Sequence, residues 1–521
     1  MHFSLRNNTF FPLHTFIIVN ILQMLSLTGC TKKSIPEDPI VAHVGPQIIR
    51  VSDFRRNYEF GLPHLKKGPD RKKSYLNFMI NEKILALEGY HLGLDKSDRV
   101  QKLEKELLSE LLVEEHFKGE VNDRIKIKPE EIRDAITQST VSWKLRYWVE
   151  SDWEYANSVY QAMQRRGYAD VVETILKSNP EVSLKPRDFE TDYLTWLEVS
   201  PELLDAIKDL PIGQISMPIA MNNVYFILQI VDIRRSPITE TDYQRNAERV
   251  KQILFYRKLK AEAAHYVSRF MTPKNVITKG DAFRKLANGL AEWRKMNGNQ
   301  KNFMETIESA KEDDVALFRL KNSLDQTLVT AKNLHWTIKD FINRFDPQMI
   351  KEDPENKHTF RSTLNQQIAL TVRNHFFIQE ARKNNLHKSS NIKKQLQEWR
   401  DKWVYEETRR HYSINLKIDE EQAKEYFEKY RDRYKIRWDD TPTFEQFRNQ
   451  AKRDAYILRS RALFEQKIDS LKTYYPIIID YAVLDTISTI DFQKSRWASL
   501  QVFKRSSNRL AVPIVDPAWG L

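Results

Sequence analysis

Apolar residues recur every three or four positions along much of the chain, each run giving one face of an amphipathic helix. Leu76, Ile80, Ile84 and Leu87 form one such face, and Val100, Leu103, Leu107 and Leu111 form the next. Gly93-Leu94-Asp95 separates the two, and Pro129-Glu130-Glu131 opens a further helix with proline and acids in its first turn, where both are favoured. Ahead of these helices, Val44 to Phe54 reads as a short strand pair turning at Gly45-Pro46, then a helix capped at Ser52. The same order returns about 290 residues later. Trp336 to Phe341 repeats the strand-then-cap phrase, Gln379 to Leu386 matches Leu87 to Leu94, and Lys417 to Glu421 matches Lys126 to Glu131 in role. Two related helical modules are expected.

Between them the period changes. Val141, Trp143, Leu145, Tyr147 and Val149 alternate with polar or outward positions, the pattern of a half-buried strand. A helix over 152–166, broken at Gly167, should follow. Pro201 to Ile207 then reads as a short helix, Leu210 to Ser216 as a turn into a strand, and Val224 to Val231 as a central strand. The expected fold class is α+β and mainly helical: helical modules carrying one small α+β domain.

Length and composition narrow the function. At roughly 150 residues per domain, 521 residues allow about three domains. With 13 glycines there is neither a GxGxxG nor a GxxxxGK[ST] run, which argues against a nucleotide enzyme. Lys and Arg number 83 against 71 Asp and Glu, but the charges are interspersed along helices, the pattern of a solvated surface and not of a nucleic-acid site. The histidines show no HExxH or paired ligand spacing, and no GxSxG occurs. No metal or cofactor is implied.

The N-terminus places the protein. Arg6 precedes an apolar run from Phe10 to Leu27, interrupted by His14, Asn20 and Gln23, which reads as an export signal and not a membrane span. It ends Leu27-Thr28-Gly29-Cys30, which resembles the bacterial lipobox and implies cleavage before Cys30 and a diacylglycerol on its thiol. Cys30 is the only cysteine, so no intrachain disulfide can form. Residues 1–29 are thus expected to be a lipoprotein signal peptide and 30–40 a proline-bearing tether. The chain should sit in the bacterial envelope, lipid-anchored and facing the periplasm, with the outer membrane favoured.

Lipobox, Val-Gly strand, the Asn81-Glu82-Lys83-Ile84-Leu85-Ala86 helix and the α+β segment together resemble the parvulin-type peptidyl-prolyl isomerase foldases, the SurA-like and PrsA-like exported chaperones. Pro201 to Ala206 with Pro211 to Ser216 is similar to the parvulin helix-turn-strand phrase, and Val224 to Ile230 to its last strand. The resemblance implies a SurA-N-like helical module at 41–140, a parvulin-like domain at 141–236, a returning long helix at 237–272, a connecting region at 273–330, a second SurA-N-like module at 331–440, a C-terminal helix and closing strand at 441–489, and a tail at 490–521. It also exposes a departure. Active parvulins place two histidines and a Cys or Asp around the prolyl bond, whereas this chain has no histidine between His116 and His265 and no cysteine there. Arg146 or Tyr147 stands where the family has its first-strand histidine, Phe226 where it has the last, and Asp192 to Leu197 replaces the glycine-rich stretch.

No catalytic residue is therefore assigned. Tyr147, Trp196 and Phe226 are candidate peptide contacts, or else simply core. Tyr426, Tyr430 and Tyr434, at four-residue spacing with Trp399, Trp403 and Trp438 nearby, are a candidate client-contact stripe, or else packing between helices. The reading is a lipid-anchored chaperone of the isomerase family, binding unfolded or nascent envelope and outer-membrane proteins, with isomerase activity weak or lost. Its rivals are an active prolyl isomerase and a structural lipoprotein bound to one fixed partner.

Overall fold

A computed structural model describes residues 38–178, 183–222, 224–237, 239–296, 302–435, 437, 439–489, 510 and 512–520. The segment expected to be a signal peptide, Cys30, Trp438 and most of the tail lie outside the described residues.

The chain begins with the hairpin β1 (Ile40–Val44) and β2 (Gln47–Arg50), turned at Gly45, whose φ of +53° suits a residue without Cβ. Helices α1 (Val51–Phe60), α2 (Arg71–His91), α3 (Asp98–Glu120) and α4 (Pro129–Gln138) follow. The first starts two residues earlier than its sequence suggests: Arg50, not Ser52, holds the cap position, and Ser52, inside the helix, donates its hydroxyl to Asp38 at 2.5 Å. Next come β3 (Val141–Glu150), α5 (Trp153–Arg166), α6 (Tyr168–Lys177), β4 (Glu190–Thr195), α7 (Pro201–Ile207), β5 (Ile219–Met221) and β6 (Val224–Arg235). The turn after α7 forms no strand at 210–216, only a bridge from Ile215 to Gln229, and the edge strand comes later. A 32-residue helix, α8 (Glu240–Met271), then leads to β7 (Ile277–Thr278). The unassigned connecting region holds α9 (Gly280–Lys295), α10 (Phe303–Ser309) and α11 (Val315–Lys321).

From there the opening order recurs: β8 (Thr327–Ala331), β9 (Leu334–Thr337), α12 (Ile338–Ile342), α13 (Lys357–Lys383), α14 (Ser390–Ser413) and α15 (Glu420–Lys429). The match extends to joints. Gly93 and Asn385 each take the left-handed conformation after the first long helix, at φ +73° and +57°, and a 3-10 turn follows each. Ser97 and Ser389 then accept from Val100 N and Ile392 N at the start of the second long helix. The chain continues into α16 (Phe444–Leu471), β10 (Ile477–Ile479) and α17 (Tyr481–Thr486), as α8 and β7 follow the first module.

The described residues form two compact units, with boundaries inside α3 and α13, so they cut across the sequence modules. One unit runs from Phe117 to His375. Its four-stranded antiparallel sheet has the order β4-β3-β6-β5, and the β3–β6 pairing runs from Val141 opposite Arg235 to Glu150 opposite Tyr225. Helices α5 and α6 cover one face, where Trp148 and Ile227 meet Met163, Tyr168 and Val172. Helix α7 covers the other, where Leu145, Phe226 and Leu228 meet Leu203 and Ile207. At the bulge between Lys144 and Leu145, the hydroxyl of buried Thr191 accepts from Leu145 N at 3.1 Å. In the same unit β7 pairs with β8 to make the sheet β7-β8-β9.

The other unit joins residues 38–116 to 376–520. Its sheet is β10-β1-β2, with Ala42 opposite Ile479 and Val44 opposite Ile477. Each hairpin is thus completed by the strand after the long helix of the other repeat, since two strands alone are marginal in water. Beneath this sheet lie Val44, Phe54, Tyr75, Ile84 and Phe464, all essentially buried. Helix α14 packs along α2 at Gly89, where an added Cβ would meet Thr408 Oγ1 at 2.2 Å and Val404 Cγ1 at 2.5 Å.

That approach sets a prediction. Gly89→Val should lower stability by about 2–4 kcal/mol, because α14 must shift to admit the side chain. Gly119→Ala, in α3 where nothing lies within 4 Å, should raise it by about 0.5–1 kcal/mol. Thermal and urea unfolding would show the opposite signs; equal effects would contradict this packing.

Candidate functional site

The sheet domain carries the three candidate peptide contacts. Tyr147 on β3 is half-buried, its ring edge-on to Phe189 at 6.0 Å, and its main-chain carbonyl accepts from the Tyr168 hydroxyl at 2.7 Å. Phe226 on β6, 8% exposed, is part of the cluster under α7. Trp196, just past β4, joins the same cluster, and the Arg257 guanidinium lies 4.0 Å from its ring centroid while donating to its carbonyl at 2.6 Å. The three candidate contacts thus share one apolar cluster. Arg146 points its charge into an ion pair with Glu190 at 2.7 Å, joined by Lys144 at 3.1 Å. Burial pushes the Glu190 carboxyl up, but the two cations more than offset this and hold it below the usual range. Large apolar side chains are exposed on this domain: Trp153, Ile212 and Met217, the last two at 58% and 63%.

The tyrosine stripe is not one helical face. Helix α15 ends at Lys429, Tyr430 occupies its cap, and Tyr434 belongs to a 3-10 turn. Tyr426 and Tyr430 remain adjacent, 4.7 Å between centroids. Tyr434 instead turns inward to Phe427 at 5.0 Å and Phe447 at 5.3 Å, 4% exposed, with its hydroxyl donating to Asp454 at 2.9 Å. The four-residue spacing misled because the helix stops before completing the third repeat. Trp399 and Trp403 are buried between α14 and α3, 5.8 Å apart. Among the described residues no group of three or more His, Cys, Asp or Glu side chains could hold a metal ion, and no helix is long and apolar enough to cross a membrane.

A site missed by sequence reading lies in the unit built on β1, β2 and β10. Residues 512–520 run in extended form and then a 3-10 turn along α1, α2 and α14. Asn57 clamps this segment at two main-chain points, donating to Pro513 O at 2.7 Å and accepting from Val515 N at 3.2 Å. The Tyr75 hydroxyl fixes the clamp by donating to Asn57 Oδ1 at 2.8 Å. Glu82 accepts from Asp516 N at 2.6 Å, and His64 Nε2 lies 3.0 Å from Pro517 O. Side chains add charge and area. Asp516 pairs with Arg409 and accepts from the Tyr405 hydroxyl at 3.1 Å, while Trp519, 3% exposed, stacks on Phe78 with centroids 6.3 Å apart. Burial pushes Asp516 up, yet Arg409 and Lys402 hold it below the ordinary carboxylate value. Burial likewise pushes Glu82 up, against Lys402 at 2.8 Å. The available signal was Val512 to Trp519 itself, an apolar run with two prolines, one acid and a tryptophan.

No family model matches the chain and no curated protein matches it. Solved structures do. The peptidylprolyl isomerase PrsA of Bacillus anthracis is 13% identical, covering 37% of this chain and 96% of its own, at a TM-score of 0.21. One of two SurA-like chaperones of Campylobacter jejuni is 15% identical over 46% of this chain and 100% of its own, at 0.22. The foldase PrsA of Streptococcus pneumoniae is 13% identical over 41% and 85%, also at 0.22. Superposition at that level is too loose to carry an argument, and the fold rests on the elements described above.

The electrostatics of the sheet domain give a pH test. Glu150, at the end of β3, accepts from Trp148 Nε1 at 2.6 Å, and burial with nearby Asp152 outweighs that bond and lifts its carboxyl from an ordinary 4.5 to about 7. The folded state therefore holds the proton more tightly than the unfolded one, so stability falls as pH rises from about 4.5 to 7. Glu150→Gln keeps the acceptor for Trp148 and should remove that slope, gaining about 1–3 kcal/mol at pH 8. Urea unfolding from pH 4 to 8 checks it; an unchanged slope would be the contrary result.

Proposed function

We propose that the chain is an exported, lipid-anchored chaperone that holds unfolded envelope proteins, outer-membrane proteins among them, and that its sheet domain contributes little or no prolyl isomerisation. The observation that carries this reading is the binding of residues 513–517 through main-chain groups by Asn57, Glu82 and His64. A surface that grips an extended chain by its backbone suits a holder of many sequences. Exposed Trp153, Ile212 and Met217 add apolar surface of the kind that meets non-native chains.

Against catalysis stands the chemistry of residues 141–236. They contain neither histidine nor cysteine, Arg146 is committed to Glu190, and Phe226 is buried. The barrier to peptide-bond rotation is about 18–20 kcal/mol, and lowering it requires groups that twist or polarise the amide. Tyr147, Trp196 and Phe226 are proposed to act as one packing cluster of this domain.

The test compares the full chain with a deletion of 141–236. The last deleted residue meets the flank before the first, Ser236 N donating to Thr140 O at 2.9 Å, so the cut removes a domain whose ends meet. Both proteins should suppress aggregation of an unfolded outer-membrane protein, and neither should speed proline-limited refolding. Strong acceleration lost on deletion would identify an active isomerase, and a pulldown returning one stoichiometric protein would identify a structural lipoprotein. Phe226→Ala should cost about 3–5 kcal/mol of stability without weakening client binding. Cys30→Ala should leave the protein unprocessed or released from membranes; unchanged mass and partition would remove the anchor from the proposal.

A further inference from the structure

Three features of the segment 512–520 set it apart from an ordinary packed terminus. Its main chain is read by side chains of α1, α2 and the turn between them, so the grip on Pro513, Val515, Asp516 and Pro517 would be the same for other residues that follow the same backbone path. Ile514 and Val515 are buried as apolar filling, and its side chains are read by specific partners at two further points. The Asp516 carboxylate enters a cationic corner made by Arg409 and Lys402, and Trp519 covers Phe78. Finally, the fit is incomplete. The indole Nε1 of Trp519 is buried with no hydrogen-bond partner, and a cavity of about 110 Å³ remains beside the segment, lined by Ile49, Met79, Ala86 and Val515 among others. A buried donor left unpaired and unfilled space both weaken the hold of this occupant relative to one that would satisfy them.

We propose that the groove along α1, α2 and α14 is a peptide-binding site for polypeptide segments that run extended up to an acidic residue and then turn to present an aromatic one three positions later, and that residues 512–520 occupy it as a built-in competitor. This rests on the chaperone reading and gives it a site and a specificity. Removal of Asp516 leaves the Arg409 guanidinium and Tyr405 hydroxyl facing the groove, so an incoming acid would replace the lost partner. Pro513 in the extended part and Pro517 at the first position of the 3-10 turn each fix φ near about −65°, which lowers the ordering cost of the segment's return. Reversible occupancy would keep the cationic corner paired when no client is present.

The experiment uses the full chain and two probes. One is a fluorescein-labelled peptide of residues 510–521; the other is reduced, carboxymethylated α-lactalbumin, a permanently unfolded protein. Asp516→Lys should release the resident segment, and the labelled peptide should then bind at least tenfold tighter than to the unaltered chain. The unfolded protein should displace it. In the unaltered chain, p-benzoylphenylalanine in place of Phe78 should cross-link to residues 512–520 alone and shift to the unfolded protein when that is added. This second arm holds even where Asp516→Lys fails to fold. A cross-link that stays on the segment at saturating client overturns the proposal and leaves the chaperone reading intact. Peptide displacement in a chain that suppresses no aggregation supports the groove and removes that reading. Failure of the labelled peptide to bind a folded Asp516→Lys chain also overturns it.

Discussion

A two-stranded hairpin cannot hold its own place in water, and that constraint organises this molecule. The first hairpin, β1–β2, obtains its third strand from β10, more than four hundred residues away, and the later hairpin, β8–β9, obtains its third from β7. Loop-closure cost grows only as the logarithm of loop length, about 0.6 kcal/mol per doubling, so a distant partner is thermodynamically affordable although slow to find. The pairing of β1 with β10 has a structural consequence. It brings α16, α17 and the segment after them onto the core of α1 and α2, where Phe464, Leu484, Val515 and Trp519 join Phe54 and Tyr75. The groove and its occupant exist because the chain closes on itself in this way.

Much of this was legible in the sequence, and the illegible part has a common cause. Helical periodicity placed α2, α3 and the returning helices, alternation placed β3, and Gly93 with its counterpart Asn385 marked the repeated joint. These are local signals. Which strand completes which hairpin is not local: Ile477–Ile479 reads as a strand, but nothing in its three isoleucines names β1 as its partner. Residues 512–520 were unreadable for the same reason, since an extended segment has no periodic pattern and its meaning lies in Asn57, Glu82 and His64. The tyrosine stripe failed differently. Spacing predicts a shared face only while the helix lasts, and this one stops at Lys429.

The small sheet domain separates architecture from chemistry. Its strands pair over their full length and both faces are covered, so the packing that defines the fold is intact. Arg146 on β3 is locked to Glu190 and Phe226 on β6 is buried, and each serves the stability of the domain. A fold does not by itself fix a chemistry, because the side chains that pack a sheet are not those that act on a substrate. Exposed Ile212 and Met217 then matter as surface.

The central claim is that chain closure is permanent while the segment it delivers is exchangeable. Amide hydrogen exchange, resolved by peptide and recorded with and without an unfolded client, measures both at once. The account predicts slow exchange at Ala42, Val44 and Ile479 in either condition, with exchange at Val515, Asp516 and Trp519 accelerating when client is bound. Unchanged protection across 512–520 in the presence of bound client would contradict it.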